Sequence, residues 1–141
     1  MHATDASSAP APQFRHPVRV YWEDTDAGGV VFYANYLKFF ERARTEWLRA
    51  RGVGQQALKD ETGAMFVVTD TQVSYKRPAR LDDLLDVTVQ VIESGRASLI
   101  IDQQAWRHAD LVAQGRIRIG CVDAATLRPR RIPEHVLHAM P

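Results

Sequence analysis

An α+β fold, in which one antiparallel sheet of about five strands packs on one long helix, is predicted by three observations. Apolar residues recur at three- and four-residue steps through Tyr36, Phe39, Phe40, Ala43, Trp47 and Ala50, the stripe of an amphipathic helix. From Met65 onward the period changes to two, and four strand-like segments follow one another through short connections. No helical segment separates those strands, so a meander-like antiparallel sheet is expected and parallel βαβ units are not. A length of 141 residues suits one domain.

Residues 1–13 are rich in Ala, Ser, Pro and Thr without periodicity and are expected to form a flexible leader, followed by a single domain over 14–133 and a C-terminal tail over 134–141. Val18, Val20 and Trp22 alternate with Arg19, Tyr21 and Glu23, which predicts the first strand. The long helix is expected to start near Tyr33 and to stop at Gly52, about 18 residues or roughly 27 Å. Its outer face carries Lys38, Glu41, Arg42, Arg44, Glu46 and Arg49, where Arg42 with Glu46, or Glu41 with Arg44, can pair across one turn. Gln55 to Thr62 favours a short helix ending at Gly63. The four later strands are expected at Met65–Lys76, Leu85–Glu93, Ala97–Arg107 and Leu111–Val122, with turns at Ser94-Gly95-Arg96 and His108-Ala109-Asp110. One helix covers one sheet face, so the other face or an edge is expected to meet a second copy.

A hydrophobic content of 45% and a charged content of 25% are those of a globular chain. The formal net charge of +1 gives no electrostatic case for nucleic acid or an anionic membrane. No apolar run reaches the roughly 18 to 20 residues of a transmembrane helix, and the N-terminus has no basic region followed by an apolar one, so a cytoplasmic location is expected. The single cysteine, Cys121, excludes an internal disulfide and reads as a core residue.

The chemistry points to Glu23 through Tyr36, where two acids and two glycines stand at a strand-to-helix junction. Glycine there permits positive φ or close backbone approach, and the first N–H groups of the helix face outward, toward something negative. Asp24 reads as a cap for backbone N–H groups, and Asp26 as either a cap or the reacting carboxylate. A calcium loop does not fit, because Gly28 and Asn35 stand where ligands are needed. An aspartate-nucleophile phosphatase does not fit either, because the βαβ units are missing. Glu41 and Glu46 read as solvated ion-pairing residues, and His135 with His138 makes a weak metal case, so no metal is expected.

The run Val18 to Tyr36, with Phe40-Glu41-Arg42-Ala43-Arg44, Pro78 to Asp83, Gly95-Arg96-Ala97-Ser98 and Cys121-Val122-Asp123, resembles the 4-hydroxybenzoyl-CoA thioesterase family. Within that family the resemblance is to the Tol-Pal-associated acyl-CoA thioesterases. It implies a hot-dog fold, a homodimer or a tetramer built from two dimers, active sites across the dimer interface, and hydrolysis of an acyl-CoA to free acid and CoA. Coenzyme A belongs to the substrate, and no cofactor is implied. Asp26 matches the family's catalytic aspartate, as nucleophile or as general base, and the backbone at Tyr33 would polarise the carbonyl. Many Tol-Pal-associated members carry histidine where this chain has Tyr33 and tyrosine where it has Trp22. His2, His16, His108, His135 and His138 all lie outside the motif. Gly28, Gly29 and Val30 are expected to shape the loop around the substrate, and Trp22, Phe32, Tyr33 and Tyr36 to meet the acyl group. Arg77, Arg96 and Ser98 are expected to meet the CoA phosphates. Two alternatives stand beside this. One is another acyl-CoA enzyme such as a hydratase, whose aspartate is followed five residues later by histidine, where this chain has Val31. The other is a non-catalytic partner-binding subunit of the Tol-Pal envelope system.

Overall fold

The computed structural model describes residues 13–140, so the leader expected over 1–13 lies, apart from Gln13, outside the described residues. Five strands, β1 (Phe14–Arg19), β2 (Ala64–Tyr75), β3 (Leu84–Ser94), β4 (Ser98–Arg107) and β5 (Asp110–Asp123), form one sheet in the order β1-β3-β4-β5-β2. Every pairing is antiparallel. Three helices accompany it: α1 (Asn35–Ala50), α2 (Gln55–Thr62) and α3 (Glu134–His138). The sheet with its single long helix is the hot-dog arrangement that the resemblance implies.

Helix α1 starts two residues later than the periodicity suggests and buries Tyr36, Phe39, Phe40, Ala43, Trp47 and Leu48. Ala50, expected on that stripe, is exposed in the last turn, and Leu48 takes its place. The helix packs on β1 and β3. It also approaches β5 closely at Gly115, where a Cβ would stand 2.7 Å from a Phe40 ring carbon, so only glycine lets the ring lie on the strand. Leu99, Ile101, Ile117, Ile119 and Cys121 fill the core from β4 and β5, as their alternation requires. Gln103 is fully buried among them, and its Nε2 donates to the carbonyls of Phe40 at 3.0 Å and Thr88 at 3.3 Å.

The first strand ends earlier than expected. Its alternation holds through Val20, which is fully buried, but Trp22–Asp24 form a 3-10 turn and Trp22 is 83% exposed. Local hydrogen bonds win there. The Tyr21 N–H donates to the Asp24 carboxylate at 2.8 Å, and the Asp24 N–H donates back to the Tyr21 carbonyl at 3.0 Å. Backbone pairing with the segment before β3 stops at Val20, whose N–H donates to the Asp83 carbonyl at 2.9 Å and whose carbonyl accepts the Asp82 N–H at 3.0 Å.

The antiparallel order gives the sheet two distinct ends. Arg19, Tyr75 and Leu84 share one end with the Asp26 loop, which is bridged to the 77–83 loop through Val30 and Arg80. Ala64, Asp123 and the Ser94–Ser98 turn share the other. The C-terminal segment closes over the core with Ile132, Val136 and Met140 buried. Strands β1 and β2 are the edges, and β2, 12 residues or roughly 40 Å long, exposes Val68 and Tyr75. Among the described residues no helix is long and apolar enough to cross a membrane.

Candidate active site

The loop between the 3-10 turn and α1 is a small closed frame of backbone hydrogen bonds. The Asp26 N–H donates to the Val30 carbonyl at 2.9 Å, the Gly29 N–H to the Asp26 carbonyl at 3.0 Å, and the Phe32 N–H to the Asp24 carbonyl at 2.9 Å. Gly29 stands at φ 80°, which a side chain at that position would strain. The two acids divide their work inside the frame. Asp24 is buried and accepts from the Tyr21 N–H and from the Asn35 side-chain amide, both at 2.8 Å, which ties the loop to the first residue of α1. Asp26 is exposed, and its Oδ1 accepts the Gly28 N–H at 2.9 Å and the Val30 N–H at 3.4 Å. Its Oδ2 meets no protein donor among the described residues, so one carboxylate oxygen is held while the other is free to react.

The N-terminus of α1 carries no side-chain cap and no acid in its first turn. The N–H groups of Tyr33 and Ala34 meet no protein acceptor among the described residues. An uncapped helix start presents free donors and the positive end of the helix dipole, which favours charge developing on a nearby oxygen. The Tyr75 hydroxyl donates to the Tyr33 carbonyl at 3.0 Å and fixes this peptide from the β2 edge. Phe32 and Tyr33 lie against one another at 4.8 Å between ring centroids, and both are exposed.

Residues 77–83 support the loop from behind. The Val31 N–H donates to the Ala79 carbonyl at 2.8 Å. Asp83 accepts the Arg80 N–H and the Arg107 guanidinium, each at 2.9 Å. Burial acts most strongly on the Asp83 carboxyl and raises it, but these two hydrogen bonds and the two positive charges outweigh burial and leave it below its ordinary range. Burial raises the Tyr36 phenol to about 12, partly opposed by its hydrogen bond with the Ala79 backbone, so this hydroxyl stays neutral at any physiological pH.

Asp26, Gly28, Gly29, Val30, Phe32 and Tyr33 are therefore together at one end of the sheet, with Trp22 exposed beside them. Tyr36 is 3% exposed, packed between Phe39, Phe40 and Tyr75, so it backs the aromatic wall instead of offering a free face to an acyl group. Arg77 follows β2 at the same end, paired with Asp110 at 3.3 Å on the surface. Arg96 and Ser98 are at the opposite end, separated from the Asp26 loop by the length of β3, roughly 35 Å. Within one chain they do not meet Asp26. Asn35, Tyr75, Asp83 and Arg107 were not among the expected site residues; Asn35, inside the resembling run Val18 to Tyr36, and Asp83, inside Pro78 to Asp83, carried a sequence signal, and Tyr75 and Arg107 did not. Among the described residues no group of three His, Cys, Asp or Glu side chains is placed to hold a metal.

The model of the thioesterase-like superfamily matches residues 20–140. An acyl-CoA thioesterase YbgC of Haemophilus influenzae is 44% identical over 123 residues, covering 87% of this chain and 90% of the relative. An acyl-CoA thioester hydrolase YbgC of Escherichia coli O6:H1 is 44% identical over 125 residues, 88% and 92% of the two chains. The crystal structure of a probable thioesterase from Bartonella henselae superposes with a TM-score of 0.81 at 31% identity, covering 86% of this chain and 100% of that one. With the matched model spanning both the Asp26 loop and the whole of α1, the chain belongs to the thioesterase-like superfamily.

Proposed function

We propose that the protein hydrolyses an acyl-CoA thioester to a free acid and coenzyme A, with Asp26 as the reacting carboxylate and the N-terminus of α1 as the electrophile. The observation that carries this is the exposed Asp26 carboxylate, held through Oδ1 alone, in the loop that leads into an uncapped helix start. As general base, Asp26 takes a proton from water while the water oxygen bonds to the thioester carbon, and the C–S bond then breaks to release the CoA thiolate, which takes up a proton. As nucleophile, its free oxygen bonds to that carbon and expels the thiolate, and water then opens the mixed anhydride. In either route the Tyr33 and Ala34 N–H groups receive the negative charge that develops on the carbonyl oxygen. The names of the YbgC relatives support acyl-CoA as the substrate class.

Two copies joined in antiparallel fashion along the open β2 edge would set the far end of one sheet beside the near end of the other. That pairing would carry the Arg96 and Ser98 of a second copy toward Asp26, which gives the CoA phosphates a cationic contact that one chain does not assemble. The fold, the relatives and the lack of a membrane-crossing helix among the described residues fit a cytoplasmic enzyme acting on cytoplasmic CoA esters. An association with the Tol-Pal system would follow from the same kinship. Thiol release from short aliphatic, long aliphatic and hydroxybenzoyl-type CoA esters, followed with a chromogenic disulfide, tests the function. Turnover on one class is expected, and no turnover on any class would refute it. Label found in Asp26 after single turnover in ¹⁸O-labelled water identifies the nucleophilic route, because only an anhydride opened by water at the Asp26 carboxyl carbon leaves label there.

A further inference from the structure

The peptide that joins Tyr33 to Ala34 carries one of the two free N–H groups at the start of α1, and it is the central peptide of a β-turn. The turn over residues 32–35 is closed by the Asn35 N–H, which donates to the Phe32 carbonyl at 2.8 Å. Ala34, its third residue, stands at φ −70° and ψ −16°, close to the values of a type I turn. A type I turn becomes type II when its central peptide rotates by roughly 180°, which exchanges the directions of C=O and N–H while the ends stay in place. In a trans peptide those two groups point to opposite sides. Whatever holds the Tyr33 carbonyl therefore also aims the Ala34 N–H.

Among the described residues the Tyr33 carbonyl accepts from one donor, the Tyr75 hydroxyl at 3.0 Å. The Leu37 N–H, one helical turn on, donates to the Ala34 carbonyl at 3.1 Å instead. Tyr75 is the last residue of β2, and that strand end is anchored by the Lys76 N–H, which donates to the Val112 carbonyl at 2.8 Å. Its ring is set between two others, 5.6 Å from the buried Tyr36 ring and 6.2 Å, edge-on, from the Tyr33 ring. Burial first and the Tyr33 phenol second push the Tyr75 phenol above its ordinary value of 10.0, so the hydroxyl remains a donor at neutral pH.

We propose that Tyr75 is a positioning residue for the reaction: its hydroxyl holds the Tyr33 carbonyl toward β2, which leaves the Ala34 N–H on the far side and polarises it for the thioester oxygen. A donor on the carbonyl of a peptide strengthens the N–H of the same peptide, by about 10 to 30% per bond. Ala34 opposes the flip as well, because a type II turn needs positive φ at this position and the alanine Cβ disfavours it. Hydroxyl and methyl group thus hold one orientation from two sides. The part in catalysis rests on the proposed hydrolysis, whereas the aim of the peptide does not.

Tyr75→Phe removes the hydroxyl and keeps the ring, and the residue is 48% exposed, so the fold is expected to hold. Thiol release should show kcat lower by roughly tenfold with KM within about twofold, since the bond acts on charge that develops after binding. In the ¹⁵N–¹H spectrum of the substrate-free protein the Ala34 nitrogen should move to lower frequency, and by more than that of Tyr33, whose own peptide nitrogen lies one peptide away from the hydroxyl. Ala34→Gly should lower kcat by a larger factor in the Tyr75→Phe background than in the wild-type background, because the hydroxyl no longer opposes the flip that glycine permits. Wild-type kcat in Tyr75→Phe, a loss confined to KM, or an unmoved Ala34 resonance would each overturn the proposal. Absence of turnover in the wild-type protein would refute hydrolysis and the part in catalysis with it. The Ala34 resonance moves or stays independently of turnover, which tells the two failures apart.

Discussion

Replacing Asp24 by alanine strips the acceptor from two donors at once, the Tyr21 backbone N–H and the Asn35 side-chain amide, both at 2.8 Å. Asp24 is 3% exposed and Asn35 is 7% exposed, so water reaches the vacated donors poorly. An orphaned buried donor costs about 1 to 3 kcal/mol, and Tyr21 is partly open to solvent, so the sum should be about 2 to 4 kcal/mol. The loss should fall on the joint between loop and α1 and reach Asp26 only by displacement. Urea unfolding gives the stability, and thiol release at a temperature where the variant is folded gives the activity. Asp24→Ala should lose both, and Asn35→Ala in the same background should add less than it does alone, because the partners are already parted. A stability within about 0.5 kcal/mol of wild type would refute the role assigned to Asp24, since that is the range of ordinary surface substitutions.

Three further outcomes follow from the packing and the ion pairs. Gly115→Ala places a methyl group 2.7 Å from the Phe40 ring and 3.1 Å from Ile117, and should cost about 1 to 3 kcal/mol, seen as a melting point lower by several degrees. Tyr36 favours its neutral form in the fold, so its contribution is complete below its ordinary value of 10.0 and is lost as pH rises toward about 12. That loss should come to about 1.4 kcal/mol between pH 8 and pH 11 and be absent in Tyr36→Phe, measured by urea midpoints at those two pH values. Asp83 favours its charged form, so its contribution is present above its ordinary value of 3.8 and is lost as pH falls below that through the depressed value. Arg107→Met should reduce this acid dependence, read from urea midpoints at pH 7 and pH 3.

How much of this was legible in the sequence depended on how local the deciding interaction is. The α1 stripe and the alternation of Ile117, Ile119 and Cys121 are periodic features set by side-chain direction, and they lie where the period puts them. Trp22 continued the alternation of Val18 and Val20, but a local acid, Asp24, offered the Tyr21 N–H a nearer partner than any strand did. Tyr75 to Tyr33 spans 42 residues and Arg107 to Asp83 spans 24, contacts created by strand order that no local pattern encodes. Strand order likewise decides that Arg77 shares an end with Asp26 and that Arg96 and Ser98 do not. Arg44 was expected to pair with Glu41 by helical spacing, yet the buried Gln103, 59 residues away, takes its donor.

Asp26→Asn tests the central claim most directly, because the amide keeps the shape and can keep its Oδ1 on the Gly28 N–H while removing the reacting carboxylate. The same thiol-release assay, run on wild type and variant matched for folding by circular dichroism and urea midpoint, should show kcat lower by a hundredfold or more at unchanged stability. A folded Asp26→Asn protein that still turns over at the wild-type rate would contradict the account.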